Sequence, residues 1–305
     1  MANVFISTIP FASKNNAPLK LLEENGINYE INSLGRKVTE DEIKEYITKF
    51  DGLIAGTEPL NKAVLSKAKN LKVISRVGVG TDNIDLNYAK KKKISVEITD
   101  NGPTNSVAEH TISLILNVLK GIHISSNLLK SGQWKKSLGR EVTECNIGII
   151  GVGKIGKRVI ELLNAFKPLK IYYFDPYVSL ESEIATKTNL EDLLRLSDII
   201  SLHLPLTEKS TSLISSTELN LMKDDSLIVN TSRGALIDEQ ALVLALEKRS
   251  IGGAALDVFT EEPYQGRLSG LDNCLLTPHI APMTIKARET MEYDAVVNII
   301  KHLSG

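Results

Sequence analysis

Between Asn146 and Asp175 the chain reads NIGIIGVGKIGKRVIELLNAFKPLKIYYFD: a short apolar run, three glycines spaced G-x-G-x-x-G, a helical pattern, a second apolar run and then an acid. Few folds accept that order. A strand must turn sharply into a helix, and the helix must return the chain to a second strand parallel to the first. Each residue has a physical task if a dinucleotide binds at the turn. Gly151 lets the chain leave the strand abruptly, Gly153 leaves room for a pyrophosphate against the backbone, and Gly156 lets the helix lie close to the sheet. The amides at the helix start, near Lys154 and Ile155, hold the phosphates at the positive end of the helix dipole. Asp175 stands 19 residues beyond Gly156, where an acid accepts hydrogen bonds from the adenosine ribose hydroxyls. The same carboxylate repels a 2′-phosphate, so the expected cofactor is NAD rather than NADP. The glycines alone fit an ordinary strand-to-helix turn equally well; strand, helix and acid together carry the nucleotide reading.

With 305 residues there is room for one large or two medium domains, each with its own core. Lys plus Arg number 36 and Asp plus Glu 37, a formal net charge of −1, which favours neither nucleic acid nor a membrane surface as partner. The start, MANVFISTIPF, lacks a basic segment followed by a long apolar core, and no later stretch approaches a membrane span, so the expected location is cytoplasmic. Cys145 and Cys274 each stand at the start of a predicted strand, outside any C-x-x-C pair, and read as buried free thiols. The histidines at 110, 123, 203, 279 and 302 show no ligand spacing, so no metal site is expected.

Ahead of the glycine turn, residues 2 to 97 alternate apolar runs with helical patterns: Val4 to Ile9, Leu19 to Glu24, Asn28 to Asn32, Glu40 to Lys49, Gly52 to Ala55, Lys62 to Lys69, Val73 to Ser75 and Ile84 to Lys92. This predicts a parallel sheet with helices on both faces. The basic run Lys90 to Lys93 reads as a solvated helix end. Two loops follow strands at the end where such sheets place ligands. Arg76 to Asn83 offers amides around Val79 and Gly80 to a small anion, or else forms a tight turn with a cap for the next helix. Gly56 to Pro59 is placed likewise, and a turn before a helix explains it equally well.

Asn101-Gly102-Pro103 breaks the pattern, and Asn105 to Lys120 then forms a helix so apolar that it needs cover nearly all round, from its own core or a second subunit. A second helix, Ile122 to Lys130, leads to Trp134, which reads either as an interface anchor or as simple packing on a neighbouring helix. After Asp175 the alternation continues with Leu190 to Leu196, Asp198 to Leu202, Ser216 to Met222, Ser226 to Asn230, Asp238 to Lys248, Gly252 to Leu256 and Leu275 to Thr277. A last helix, Thr284 to Leu303, is long enough to return to the first domain. The expected fold class is therefore α/β, with two doubly wound parallel-sheet domains. A Rossmann domain binding NAD, residues 100–281, is inserted into a flavodoxin-like substrate domain, residues 1–99 and 282–305.

Strand ends in the second half carry the titratable groups. Asn230-Thr231-Ser232-Arg233-Gly234 follows one strand, Asp257 another, and Glu262-Pro263 and Thr277-Pro278-His279 come next. If these ends line one cleft, Arg233, Asp257, Glu262 and His279 gather at the nicotinamide end of the cofactor, and Thr231 is a further cofactor-binding candidate. Hydride transfer to or from a secondary alcohol needs a group that takes or returns the hydroxyl proton. His279 suits that task, since an imidazole ordinarily titrates near about pH 6.5. Glu262 would orient the ring and stabilise the imidazolium. Arg233 can hold a substrate carboxylate with paired hydrogen bonds and polarise the carbonyl. Standing alone, a histidine after a proline is more often a loop residue and a strand-end arginine a surface ion pair.

Six segments in order, SRVGVGTDNID, GVGKIGKRV with YFDP, SLHLPLTEKSTSLIS, VNTSRGALIDEQALVLALE, GAALDVFTEEP and TPHIA, resemble the NAD-dependent D-2-hydroxyacid dehydrogenases, particularly their phosphoglycerate dehydrogenase-like branch. The likeness runs from about Asp51 to the end. It implies that Arg233 binds the carboxylate and polarises the carbonyl, that Glu262 orients the acid/base His279, and that Asp257 lies near the nicotinamide. It further implies a substrate carboxylate at the Val79-Gly80 amides, an adenosine pocket lined by His203 and Pro205, and a homodimer made through residues 105–144. Gly56 stands where many of that branch carry an arginine, with Glu58 close by, whereas Arg76 matches a phosphate-side arginine. Ala281-Pro282-Met283 and Lys167-Pro168 also depart from the family pattern, and the chain given ends without room for a serine-binding regulatory domain. The implied substrate is a 2-hydroxy or 2-oxo acid, 3-phosphoglycerate first and glyoxylate or hydroxypyruvate second. Two rivals stand beside it: a formate dehydrogenase, which shares the fold but pairs its histidine with glutamine where this chain has Glu262, and a non-catalytic NAD-sensing corepressor, which keeps the same residues.

Overall fold

Short strands rich in Ile, Val and Leu, most followed by a helix, build two parallel sheets in the computed structural model, which describes residues 1–303. The chain divides into two units, Met1–Pro103 with the stretch from Pro282 onward, and Thr104–Ala281.

In the first unit, β1 (Asn3–Ile6), β2 (Asn28–Ile31), β3 (Gly52–Ala55), β4 (Val73–Arg76) and β5 (Ser95–Ile98) lie in the order β2-β1-β3-β4-β5, the flavodoxin-like arrangement. Side chains alternate across this sheet. Val4, Ile6, Ile54 and Val73 face one core, shared with Ala287, Met291, Ala295, Val296 and Ile299 of the last helix, α11 (Ile285–Leu303). Phe5, Leu53, Ala55 and Ile74 face the other, against Ile43 of α2 (Glu40–Tyr46), Val64 and Leu65 of α3 (Lys62–Leu65) and Ala89 of α4 (Leu86–Lys91). The helix α1 (Ala17–Glu24) packs against α11 on the first side.

The second unit opens with α5 (Pro103–Lys120) and α6 (Ile122–Lys130). Its seven strands are β6 (Asn146–Ile150), β7 (Lys170–Phe174), β8 (Thr186–Lys187), β9 (Ile199–Leu202), β10 (Leu227–Asn230), β11 (Gly253–Leu256) and β12 (Cys274–Leu276). They are ordered β12-β11-β10-β9-β6-β7-β8, and every pairing is parallel. The chain order therefore reverses between β6 and β9, the kind of switch point where open α/β sheets bind ligands. The connecting helices are α7 (Lys154–Asn164), α8 (Leu190–Leu196), α9 (Ser216–Leu219) and α10 (Glu239–Glu247). No single helix among the described residues is long and apolar enough to cross a membrane.

The structure adds two strands to those read from the sequence, β5 and β8. Both are edge strands, and SVEI in β5 is only partly buried, so neither carries a strong apolar run. Several helices are shorter than expected: α2 ends at Tyr46 rather than Lys49, α3 at Leu65 rather than Lys69, and α9 at Leu219 rather than Met222. The longest early helix starts at Pro103 rather than Asn105, because a proline is tolerated in a first turn whose amides have no partner inside the helix. Cys145 and Cys274 are buried and free.

Ile299 shows how much of the first unit rests on the returning helix. It is fully buried, and its Cδ1 lies 3.2 Å from where a Cβ on Gly52 would stand, so the helix sits directly on the sheet. Ile299→Ala is expected to cost about 2–5 kcal/mol, read as a lowered Tm in thermal melts.

Candidate active site

The end of β6 is shaped by what three glycines lack. Gly151 has φ +93°, and a Cβ there would lie 2.7 Å from the carbonyl carbon of His203 and the nitrogen of Leu204. Gly156 sits so close to the turn that a Cβ would lie 2.1 Å from the Gly151 oxygen. Gly153 is the opposite: nothing lies within 4 Å of its missing Cβ. The chain is thus packed tight on either side of an open cradle, beneath which α7 begins at Lys154 and Ile155 without a capping side chain. First-turn amides aimed into such a space suit a pyrophosphate.

Asp175, just beyond β7, is 5 % exposed and ties this turn to the next strand. Its Oδ2 accepts the Val152 amide at 2.9 Å, and its Oδ1 accepts those of Tyr177 and Val178, both at 2.8 Å. One lone pair remains on Oδ2 for a ribose hydroxyl. His203 follows β9 with its Nε2 2.9 Å from Ser201 Oγ, and burial pushes its imidazole down to about 3. The ring is therefore neutral at ordinary pH. Pro205 is exposed beyond it.

Along the same edge, the ends of β10, β11 and β12 carry the other candidates. Thr231 is buried, with its hydroxyl 2.9 Å from Thr111 on α5. Arg233 sits in a loop stapled by Asn230, whose Nδ2 donates to the Arg233 carbonyl at 2.8 Å while its Oδ1 accepts the Ser232 amide at 3.0 Å. The next residue, Gly234, abuts the 259–260 backbone, where a Cβ would lie 2.1 Å from the Phe259 carbonyl carbon. That contact brings the Arg233 loop against the loop carrying Glu262. The Phe259 and Tyr264 rings stack at 4.3 Å, and Tyr264 donates to Glu239 at 2.8 Å, which fixes the second loop from behind.

His279 Nδ1 lies 2.8 Å from Glu262 Oε2 and 3.1 Å from Oε1. Both side chains are about one-third exposed, at 30 % and 32 %. Because Nδ1 faces the carboxylate as donor, Nε2 is the nitrogen left for a substrate oxygen. His279 has φ 52°, in the left-handed region, a posture that costs roughly 1–3 kcal/mol unless its surroundings impose it. Asp257 imposes it. This carboxylate is fully buried and accepts the Thr277 hydroxyl at 2.6 Å, the Ile280 amide at 2.9 Å and the Ala281 amide at 2.8 Å. Burial alone would raise its pKa, but hydrogen bonds from His110, Thr277 and the two amides outweigh that and hold it below the ordinary carboxylate value.

Two residues of this arrangement had no place at the site in the sequence reading, Ser106 and His110. Ser106 Oγ donates to the Ala281 carbonyl at 2.6 Å, and His110 Nε2 lies 3.2 Å from Thr277 Oγ1 and 3.4 Å from Asp257 Oδ1. With Thr277 they join α5 to the strand ends. A signal was present: Ser106 and His110 stand four apart on α5, and so share one face.

Arg76, the last residue of β4, and Val79 and Gly80 beyond it belong to the first unit. The Gly78 amide donates to Thr99 Oγ1 at 2.7 Å, and Arg76 folds back to donate to the Val77 carbonyl. The cap of α4 is Asp85, which accepts the Tyr88 amide at 2.8 Å, so Asp82 and Asn83 are not that helix's cap. Instead Asn83 Nδ2 donates to the Glu58 carbonyl at 2.6 Å, stitching this loop to the Gly56–Pro59 loop. Glu58 is 1 % exposed, shares a hydrogen bond with Ser7, and accepts the Gly56 amide at 3.0 Å. Burial pushes its carboxyl up, against the opposing effect of those hydrogen bonds and of the Arg76 charge. Its folded-state pKa therefore exceeds the unfolded value. Stability from this group is complete below about pH 4.3 and is lost as pH rises through the folded pKa. Glu58→Gln keeps the donor pattern without the titration, so its Tm relative to the parent chain should climb as pH is raised from roughly 4 to 8.

The profile of the D-isomer specific 2-hydroxyacid dehydrogenase NAD binding domain matches residues 112–281. A glyoxylate reductase of Thermofilum pendens is 38 % identical over 280 residues, covering 88 % of this chain and 82 % of its own. A D-3-phosphoglycerate dehydrogenase of Methanocaldococcus jannaschii is also 38 % identical, over 94 % of this chain but only 55 % of its own, so the chain spans about half the length of that relative. Among solved structures, D-lactate dehydrogenase from Aquifex aeolicus, complexed with NAD and lactic acid, superposes with a TM-score of 0.86 at 29 % identity, covering 98 % of this chain and 94 % of that one. A turn in which neither Gly151 nor Gly156 leaves room for a side chain, an acid at its rim and matches of this extent lead to one conclusion: the chain belongs to the D-isomer specific 2-hydroxyacid dehydrogenase family and carries its NAD-binding domain.

Proposed function

We propose that this protein is a reductase of small, unphosphorylated 2-oxo acids of the glyoxylate and hydroxypyruvate class, with His279 as proton donor, Glu262 as its orienting acid and Arg233 as the carboxylate and carbonyl ligand. The reading is carried by the His279–Glu262 pair, which leaves Nε2 as the nitrogen that can exchange a proton. Gly151, Gly153, Gly156, Asp175 and the first turn of α7 would hold NADH, with Thr231, His203, Pro205 and Asp257 farther along the strand ends. From Asp175 to Asp257 the row covers four strand spacings, about 19 Å. Bound NADH supplies the hydride for the carbonyl carbon. Arg233 draws charge toward the carbonyl oxygen, His279 Nε2 delivers the proton that oxygen receives, and Glu262 steadies the imidazolium until it does. The first unit serves as the substrate domain, where the Val79 and Gly80 amides take the carboxylate.

Gly56 and Glu58 bear on substrate size. A Cβ at position 56 would meet Glu58 Oε2 at 3.1 Å and Thr8 at 3.3 Å, so the place of a phosphate-binding arginine is filled by a buried carboxyl. Arg76 is the residue that favours a phosphorylated acid, alongside the relative named for 3-phosphoglycerate, and it is folded back on its own loop. We also propose a homodimer through residues 105–144. Trp134 is 81 % exposed, which removes the alternative of packing on a neighbouring helix, and Leu138 and Leu129 are exposed with it.

NADH consumption over glyoxylate, hydroxypyruvate and phosphohydroxypyruvate should give the highest kcat/KM with one of the first two. Preference for the phosphorylated acid would refute the substrate class, and no turnover with any would favour the NAD-sensing alternative. His279→Ala should lower kcat about 10²–10⁴-fold while NADH affinity is retained. Trp134→Ser with Leu138→Ser should shift the light-scattering mass from dimer to monomer; an unchanged mass would place the interface elsewhere.

A further inference from the structure

His110 takes no part in the chemistry above, yet it touches both groups that hold the catalytic turn. The Thr277 hydroxyl has one hydrogen, and its short contact with Asp257 Oδ1 directs that hydrogen to the carboxylate. Thr277 Oγ1 can then only accept from His110, and Asp257 Oδ1 also only accepts. The hydrogen must therefore sit on His110 Nε2, shared between the two oxygens. His110 is mostly buried, with 17 % of its side chain exposed, on a helix whose neighbouring turn donates from Ser106 to the Ala281 carbonyl. The turn from Thr277 to Ala281 is thus fixed at both ends by α5, while Asp257 binds Thr277, Ile280 and Ala281 and closes it. His279 is the residue this clamp forces into a left-handed backbone.

We propose that His110 is a positioning residue for His279: its Nε2–H, bridging Thr277 and Asp257, keeps the carboxylate-centred turn in the posture that presents the His279 imidazole. The proposal rests on His279 being the proton donor, and its structural half can be tested apart from that role. The side chain of glutamine places an amide nitrogen near the position of Nε2, and that of asparagine near Nδ1. The informative series is therefore His110→Ala, His110→Asn and His110→Gln in the full chain.

In hydrogen exchange read by mass spectrometry, the segment holding the Ile280 and Ala281 amides should exchange at least about tenfold faster in His110→Ala, with protection regained in His110→Gln but not in His110→Asn. In kinetics, His110→Ala should lower kcat by about 10- to 100-fold with KM and NADH affinity within a few-fold of the parent, and His110→Gln should recover most of the loss. Unchanged exchange in His110→Ala, a kcat within twofold of the parent, or equal rescue by asparagine overturns the proposal. If exchange follows the expected series but the parent chain reduces no 2-oxo acid, the clamp stands and the assignment of His279 falls.

Discussion

The arrangement at the strand ends depends on a carboxylate that water does not reach. Removing a charge from solvent costs several kcal/mol unless other groups take over its hydration, and Asp257 is fully buried. Donors from a side chain and two successive amides, with an imidazole beside them, replace that hydration. The same bonds decide where the backbone goes. A turn closed around an anion has little freedom, so a histidine is kept at φ 52° where an unconstrained chain would relax. Neutralising Asp257 would weaken or remove the acceptor for at least one of the two successive amides it holds, so the charge itself supports the turn.

Much of the fold was legible because its signals are local. The alternation of β1, β3 and β4 between two cores, and the turn at Gly151, follow from residues that are near one another in sequence. The edge strands β5 and β8 were not legible, since partly exposed or two-residue strands leave no apolar run. Helix ends were overextended where the hydrophobic pattern outlasts the hydrogen bonding, as beyond Leu65 and Leu219. At the site, Arg233, Glu262 and His279 could be singled out because strand ends and a family resemblance pointed to them. The His110 contact joins residues 167 apart, and the Ser106 contact joins residues 175 apart. Such pairings have no sequence periodicity, so only the folded chain reveals them.

The two units place different demands on their residues. In the second, the glycine positions are dictated by close approach of backbone to backbone, and the profile match lies wholly within this unit. In the first, a carboxyl at position 58 is shut in beneath a glycine and joined to Ser7. Chemistry common to many relatives can be preserved by the one while the loops of the other diverge, in keeping with relatives named for different acids sharing equal identity with this chain.

The bond from Ser106 to the Ala281 carbonyl has a topological consequence. It joins the first residues of the inserted segment to its last one, at 2.6 Å. A segment whose ends already meet needs almost no loop closure to be housed inside a host chain, and it leaves the host's own connectivity nearly undisturbed. The stretch from Thr104 to Ala281 has the makings of a transplantable cassette, one that a short linker could seat in an unrelated scaffold or a circular permutation could open elsewhere.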